Sequence, residues 1–141
     1  MVEIPIHYLP GSPHLEVTTY GGCIDLYNYN EVHLKAGEKG FINFGFSMKL
    51  PDGYDALILP RSSTFSRYGI LMTNSVGYID NSYNGTEDYW KACIYATRDI
   101  DIPRGTRCFQ FRLIKKQPSI NFSQQENLNE TNRGGFGSSG V

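Results

Sequence analysis

Between residues 41 and 50, Ile42, Phe44, Phe46, Met48 and Leu50 are apolar, and Asn43, Gly45, Ser47 and Lys49 lie between them. A period of two puts alternate residues on opposite faces of an extended chain, whereas a helix needs apolar residues three and four apart. The segment therefore reads as a strand with one buried face. Pro51-Asp52-Gly53 supplies a turn, and residues 54–59 return as the next strand. Residues 107–114 repeat the pattern, with Phe109, Phe111 and Leu113 on one face, after a loop over 101–105. Shorter strands are predicted at 4–8, 32–34, 78–79 and 90–96. Ten Tyr, eight Phe, 15 Gly and seven Pro suit short strands broken by turns. Only residues 62–68 read as helical, with Ser62, Ser63 and Thr64 able to cap and Gly69 able to end a turn or two. The predicted fold class is all-β, a mainly antiparallel barrel or jelly roll with one short helix and a polar tail from about Ser123.

At 141 residues the chain is sized for one domain, and 40% hydrophobic with 19% charged residues is a globular composition. A net charge of −1 argues against a broad footprint for nucleic acid, so any polyanion must be met by a local set of arginines. No apolar run is long enough to span a bilayer and no secretory leader is evident, so no membrane partner is expected. Cys23, Cys93 and Cys108 are scattered and odd in number. They argue against a disulfide framework and for a reducing, cytoplasmic setting. They show no C-x-x-C spacing and no histidine near them, which argues against zinc. His7, His14 and His33 all fall early in the chain and give little support to a histidine-dependent triad.

Four segments could carry chemistry, and each also has a plain structural reading. Arg61-Ser62-Ser63 follows Pro60 and opens the short helix, where unsatisfied N–H groups suit phosphate; equally it is an N-cap beside a surface arginine. Within Gly77-Tyr78-Ile79-Asp80-Asn81-Ser82-Tyr83-Asn84-Gly85, Asp80 leaves a short apolar strand for a turn, placed to act as a general base. Tyr83 could stack on a sugar or base; the plain reading makes Asp80 and Asn81 ordinary turn formers and Tyr83 a core residue. Asp25, between Ile24 and Leu26, needs an arginine or a hydrated cation. Finally, Arg133-Gly134-Gly135-Phe136-Gly137-Ser138-Ser139-Gly140 combines a guanidinium fork, backbone able to approach an anion and a ring with nothing local to pack on. It reads as a flap over a nucleotide, or as a plain disordered terminus. No Walker-type Gly-Lys-Ser/Thr and no His/Cys deaminase signature occurs. A phosphate site must then be assembled from Arg61, Arg133 and Arg107 on separate segments, with metal bound mostly through the ligand's phosphates.

In this order the segments resemble the five motifs of the trimeric all-β dUTPases, and bacterial and phage forms in particular. The first motif resembles Gly22-Cys23-Ile24-Asp25-Leu26, the second Pro60-Arg61-Ser62-Ser63-Thr64, and the third residues 74–85. The fourth is similar to Gly105-Thr106-Arg107-Cys108-Phe109-Gln110 and the fifth to residues 133–140. The resemblance implies a distorted jelly-roll barrel assembled as a homotrimer. Residues 1–122 would form the hydrolase body and 123–141 a flexible arm. It implies that dUTP is hydrolysed to dUMP and pyrophosphate with Mg²⁺. Asp80 would activate water, Asp25 would hold the ion through water, and Tyr83 would exclude a 2′-hydroxyl. Asn74 would read the uracil edge. Arg61, Ser62, Ser63, Arg107 and Gln110 would contact the phosphates. Arg133, Gly137, Ser138 and Ser139 would close the far end while Phe136 covers the base. Thr106 departs from the acidic residue of many relatives. The hairpin over 86–90 is longer and more aromatic, which suggests Tyr89 or Trp90 as further cover for the base. A dCTP deaminase of the same superfamily, using Glu87, and a phage-type module binding a regulatory protein are the competing readings.

Overall fold

The computed structural model describes residues 1–18 and 22–137. The strands are β1 (Ile6–Tyr8), β2 (Ile24–Leu26), β3 (Val32–Leu34), β4 (Lys39–Asn43), β5 (Phe46–Met48), β6 (Tyr54–Pro60), β7 (Ile70–Met72), β8 (Gly77–Ile79), β9 (Lys91–Ala96), β10 (Ile100–Ile102) and β11 (Phe109–Lys115). One helix, α1 (Thr64–Tyr68), lies between β6 and β7. Every pairing is antiparallel. The strands form four sheets in the orders β1-β5, β10-β3, β2-β11-β6-β8 and β4-β9-β7. The all-β architecture with one short helix is thus the expected one, although among the described residues the sheets stay open and do not close into a continuous barrel.

The alternating stretch at 41–50 is two strands. Its apolar positions Ile42, Phe44, Phe46, Met48 and Leu50 are all buried, as the period of two requires. The backbone breaks at Gly45, whose φ of +77° is open to glycine, and a Cβ there would lie 2.4 Å from the Ser12 hydroxyl oxygen. The break lets β4 pair with β9 while β5 pairs with β1, so one apolar pattern serves two sheets. Ile70–Met72 and Ile100–Ile102 are strands that the sequence pattern does not mark. Ile70–Met72 follows directly on the helix. Ile100–Ile102 overlaps the predicted loop over 101–105, because two buried isoleucines flanking Asp101 just before Pro103 are too short a pattern to register. The helix ends where expected, on Gly69 in the left-handed region with its N–H donating to the Phe65 carbonyl at 2.8 Å.

The core holds Trp90 at its centre, fully buried, with ring centroids 5.2 Å from both Phe46 and Phe111. Trp90 therefore covers no ligand; it is a packing residue whose truncation to Ala would cost about 3–5 kcal/mol. After β11 the chain forms no further strand or helix through residue 137, and its side chains from Gln117 onward are exposed. No helix among the described residues is long and apolar enough to cross a membrane.

Candidate active site

The sheet β2-β11-β6-β8 positions the chemistry. In its register Gln110 lies opposite Asp25, and Phe109 lies opposite Pro60, the last residue before Arg61. Residues far apart in the chain thus meet at one sheet end. The Arg61 backbone N–H is held at 2.8 Å from Thr64 Oγ1 and 3.3 Å from the Cys108 carbonyl. Buried Thr64 in turn donates to that same carbonyl at 2.5 Å. The Arg61 guanidinium donates through Nη1 to the Arg107 carbonyl at 2.9 Å and places Nε 3.3 Å from Asp25 Oδ1. Arg107 Nη1 reaches Asp25 Oδ2 at 3.2 Å. Gln110 Nε2 donates to the Pro60 carbonyl at 3.1 Å.

These groups border a cavity of about 360 Å³, walled by Asp25, Arg61, Ser62, Arg107 and Gln110 with Glu16, Thr18, Gly22, Cys23 and Tyr27. Half-exposed ion pairs of this kind stabilise a fold only weakly. Their use is to hold two guanidinium forks at the cavity wall, facing a place where an anion can sit. Ser63 is not part of that wall. It is the N-cap of a five-residue helix, makes no side-chain capping bond, and accepts from the Arg67 N–H at 2.9 Å through its carbonyl. The expected phosphate-binding helix start thus reduces to one turn braced by Thr64. As for a metal, the described residues contain no cluster of three or more His, Cys, Asp or Glu able to cage one. A single carboxylate, Asp25, fits a hard cation only if the ion keeps its waters and takes its other ligands from phosphates.

Asp80 lies elsewhere. Strand β8 pairs with β6 as Ile58 with Gly77 and Ala56 with Ile79, so Asp80 emerges level with Asp55 near the start of β6, whereas Arg61 follows its end. Six residues of strand separate those positions by about 20 Å. At that end, Asp80 Oδ1 accepts from the Ser82 hydroxyl at 2.6 Å and the Ser82 N–H at 2.8 Å. These two bonds, the hydroxyl first, hold the exposed Asp80 carboxyl below the usual carboxylate range, with some help from the charge of Lys116. The Tyr83 N–H donates to the Asp80 carbonyl at 2.9 Å, and its hydroxyl to the Tyr89 carbonyl at 2.9 Å, which fixes a ring that is 38% exposed. Partial burial and then Asp88 push the Tyr83 phenol up.

Asn81 ties this loop to the body. Its side-chain amide donates to the carbonyls of Pro51 at 2.9 Å and Tyr54 at 2.8 Å, and its N–H donates to Asp55 Oδ1 at 2.8 Å. The second oxygen of buried Asp55 accepts from the Tyr78 hydroxyl, which raises the Tyr78 pKa. Asn74 sits at the other end of β8, exposed, in a turn where its carbonyl accepts from the Val76 N–H at 2.6 Å. In the tail, Arg133, Phe136 and Gly137 do not line the cavity, and Phe136 is fully exposed. Ser138 and Ser139 lie outside the described residues.

The dUTPase family model matches residues 19–140 of this chain. The chain belongs to the dUTPase family. It is 39% identical to the SPbeta prophage-derived deoxyuridine 5'-triphosphate nucleotidohydrolase of Bacillus subtilis, with 99% of both chains covered. With the deoxyuridine 5'-triphosphate nucleotidohydrolase of Gamma-proteobacterium EBAC31A08 it shares 35% identity over 99% of this chain and 96% of the other. Among solved structures, the dUTPase of Staphylococcus bacteriophage 80alpha with dUPNHPP superposes over the full length of both chains with a TM-score of 0.83 at 19% identity. A dUTPase from phage phi11 of S. aureus, described for its coordination of a structural Mg(II) ion, gives 0.75 over 92% of this chain and all of the other, at 16% identity. The relatives thus include bacterial and phage dUTPases.

Several residues that the motifs alone do not single out brace these groups. Thr64 bridges Arg61 to β11, Asn81 anchors the loop of Asp80, and Ser82 bonds Asp80 directly. Thr106 donates to the Pro103 carbonyl at 2.7 Å, so it closes the turn leading to Arg107. A hydroxyl two residues after an aspartate was the one signal available for Ser82, and it is too common to stand out.

Proposed function

We propose that this chain is a dUTP diphosphatase that cleaves dUTP to dUMP and pyrophosphate. The observation that carries the reading is Asp80: an exposed carboxylate kept ionised by two Ser82 donors, beside the fixed ring of Tyr83. Asp80 takes a proton from water as its oxygen attacks the α-phosphorus. The bond from that phosphorus to the bridging oxygen breaks, and pyrophosphate leaves with the electron pair. Tyr83 stacks on deoxyribose and excludes a 2′-hydroxyl, and Asn74 meets the uracil edge. Arg61, Ser62, Arg107 and Gln110, which border the cavity, hold the phosphates. Such a displacement asks the protein mainly for positioning and charge neutralisation. Mg²⁺, carried by the phosphates and held by Asp25 through water, would supply further neutralisation. The relative from phage 80alpha binding dUPNHPP supports a nucleoside triphosphate ligand.

The separation of about 20 Å between Asp80 and Arg61 along β6 supports sites at subunit boundaries, and membership of the dUTPase family supports a homotrimer. One copy gives the arginine cavity and another the Asp80 loop. Residues 1–122 form the body and 123–141 an arm whose Arg133, Phe136, Gly137, Ser138 and Ser139 close over a pocket on another copy. A cytoplasmic setting suits such an enzyme. The test is pyrophosphate release from dUTP, dCTP, dTTP and UTP, with Mg²⁺ and with EDTA. Metal-dependent release from dUTP alone is expected. Release of ammonia from dCTP would replace the reading with the deaminase.

A further inference from the structure

Both hydrogen bonds to the Asp80 carboxylate come from one residue and end on one oxygen. Ser82 gives its N–H at 2.8 Å and its hydroxyl at 2.6 Å to Oδ1, and no donor among the described residues reaches Oδ2. The backbone bond alone would close the turn, as Asp and Asn do in many loops. The hydroxyl adds something the turn does not require: a second, charge-assisted bond that locks the carboxylate rotamer and leaves Oδ2 open. The loop itself is held independently, through the Asn81 amide on the carbonyls of Pro51 and Tyr54. Ser82 can therefore act on Asp80 without carrying the loop.

We infer that Ser82 is the positioning residue of the catalytic base, fixing the Asp80 carboxylate so that Oδ2 faces the attacking water. The inference rests on the reading of Asp80 as the base. Other charged or titratable groups near Asp80 are Lys116 just beyond β11, Asp55 in β6 and Tyr78 in β8. Asp55 is occupied by Asn81 and Tyr78, and Lys116 acts only through its field, so among the described residues Ser82 is the one side chain bonded to the reacting carboxylate. This holds the base ionised and aimed, at the cost of some basicity.

The test compares the full chain with Ser82→Ala and Ser82→Thr. Two readouts are taken across pH: the Asp80 carboxyl titration by carbon NMR, and kcat and KM for dUTP. Ser82→Ala keeps the backbone bond and removes the hydroxyl. Its Asp80 carboxyl is expected to titrate at higher pH, and the acid limb of kcat to move the same way. At neutral pH kcat should fall about tenfold with KM within about twofold. Ser82→Thr, which restores a hydroxyl, should return both readouts toward the parent. An Ala variant whose Asp80 titrates as in the parent overturns the role of Ser82. A carboxyl that shifts while the acid limb of kcat stays put overturns Asp80 as the base, and the inference with it. A rise in KM at unchanged kcat would make Ser82 a binding residue instead.

Discussion

Asp25 in β2, Gln110 in β11 and Arg61 just after β6 meet only because β11 runs between β2 and β6 in a fixed register. Asp80, Ser82 and Tyr83 are near neighbours in the chain, joined by bonds inside one turn. The first region is brought together by the sheet, whose register fixes where the backbones of its groups lie. The second owes its geometry to local hydrogen bonds, and its place to the Asn81 anchor. The contrast teaches a division of labour. Charge neutralisation needs several cations brought together from afar, which a sheet end provides. Proton abstraction needs one carboxylate in one rotamer, which a turn can provide alone.

The comparison can be broken at either region. Asp80→Asn should keep the fold, since the side chain is exposed, and lower kcat by about 10³-fold while dUTP still binds. Steady-state kinetics beside a nucleotide titration will check this, and near-normal turnover would remove Asp80 from the mechanism. Cutting the chain before Ser123 should leave the melting temperature unchanged, because the arm adds no strand and little buried surface. It should nonetheless cost about 10²-fold in kcat/KM through lost positioning. Arg107→Gln leaves Asp25 with Arg61 alone, and KM for dUTP should rise about tenfold at nearly constant kcat.

The smallest effect lies in the β3–β10 pair, outside both regions, and serves as a control. His33 in β3 is 2.6 Å through Nδ1 from Asp101 Oδ1 and 3.1 Å through Nε2 from Glu31 Oε2, and these partners raise its pKa. A raised histidine stabilises the fold below its ordinary value and loses that contribution as pH rises through the folded value. Asp101→Asn should therefore lower the melting temperature slightly at pH about 5.5 and leave it unchanged at about 8.5, without touching turnover.

Much of this was legible in the sequence. The period-two pattern marked Ile42, Phe44, Phe46, Met48 and Leu50 as core, Gly69 ended the helix, and five ordered motifs pointed to the family. The break at Gly45 was hidden, because the apolar residues alternate smoothly in sequence across a backbone that changes sheets. The distance between Arg61 and Asp80 was hidden too, since it follows from the pairing of β6 with β8, a long-range register that no local pattern encodes. Trp90 shows the converse. Beside an exposed hairpin it reads as a ligand-facing ring, yet the strand it leads into turns it toward Phe46 and Phe111. Ser82 was missed because its role is set by rotamer and distance, not by residue type.

The division of the site between copies is tested most directly by mixing two inactive variants. Asp80→Asn and Arg61→Gln chains are unfolded together in equal amounts, refolded, and assayed for pyrophosphate release from dUTP. If each site joins the arginine cavity of one copy to the Asp80 loop of the next, random assembly leaves about a quarter of sites with both halves intact, and activity returns to about that fraction of the parent. If each chain builds its own complete site, every site carries one lesion and the mixture stays as inactive as its components, which would contradict the account.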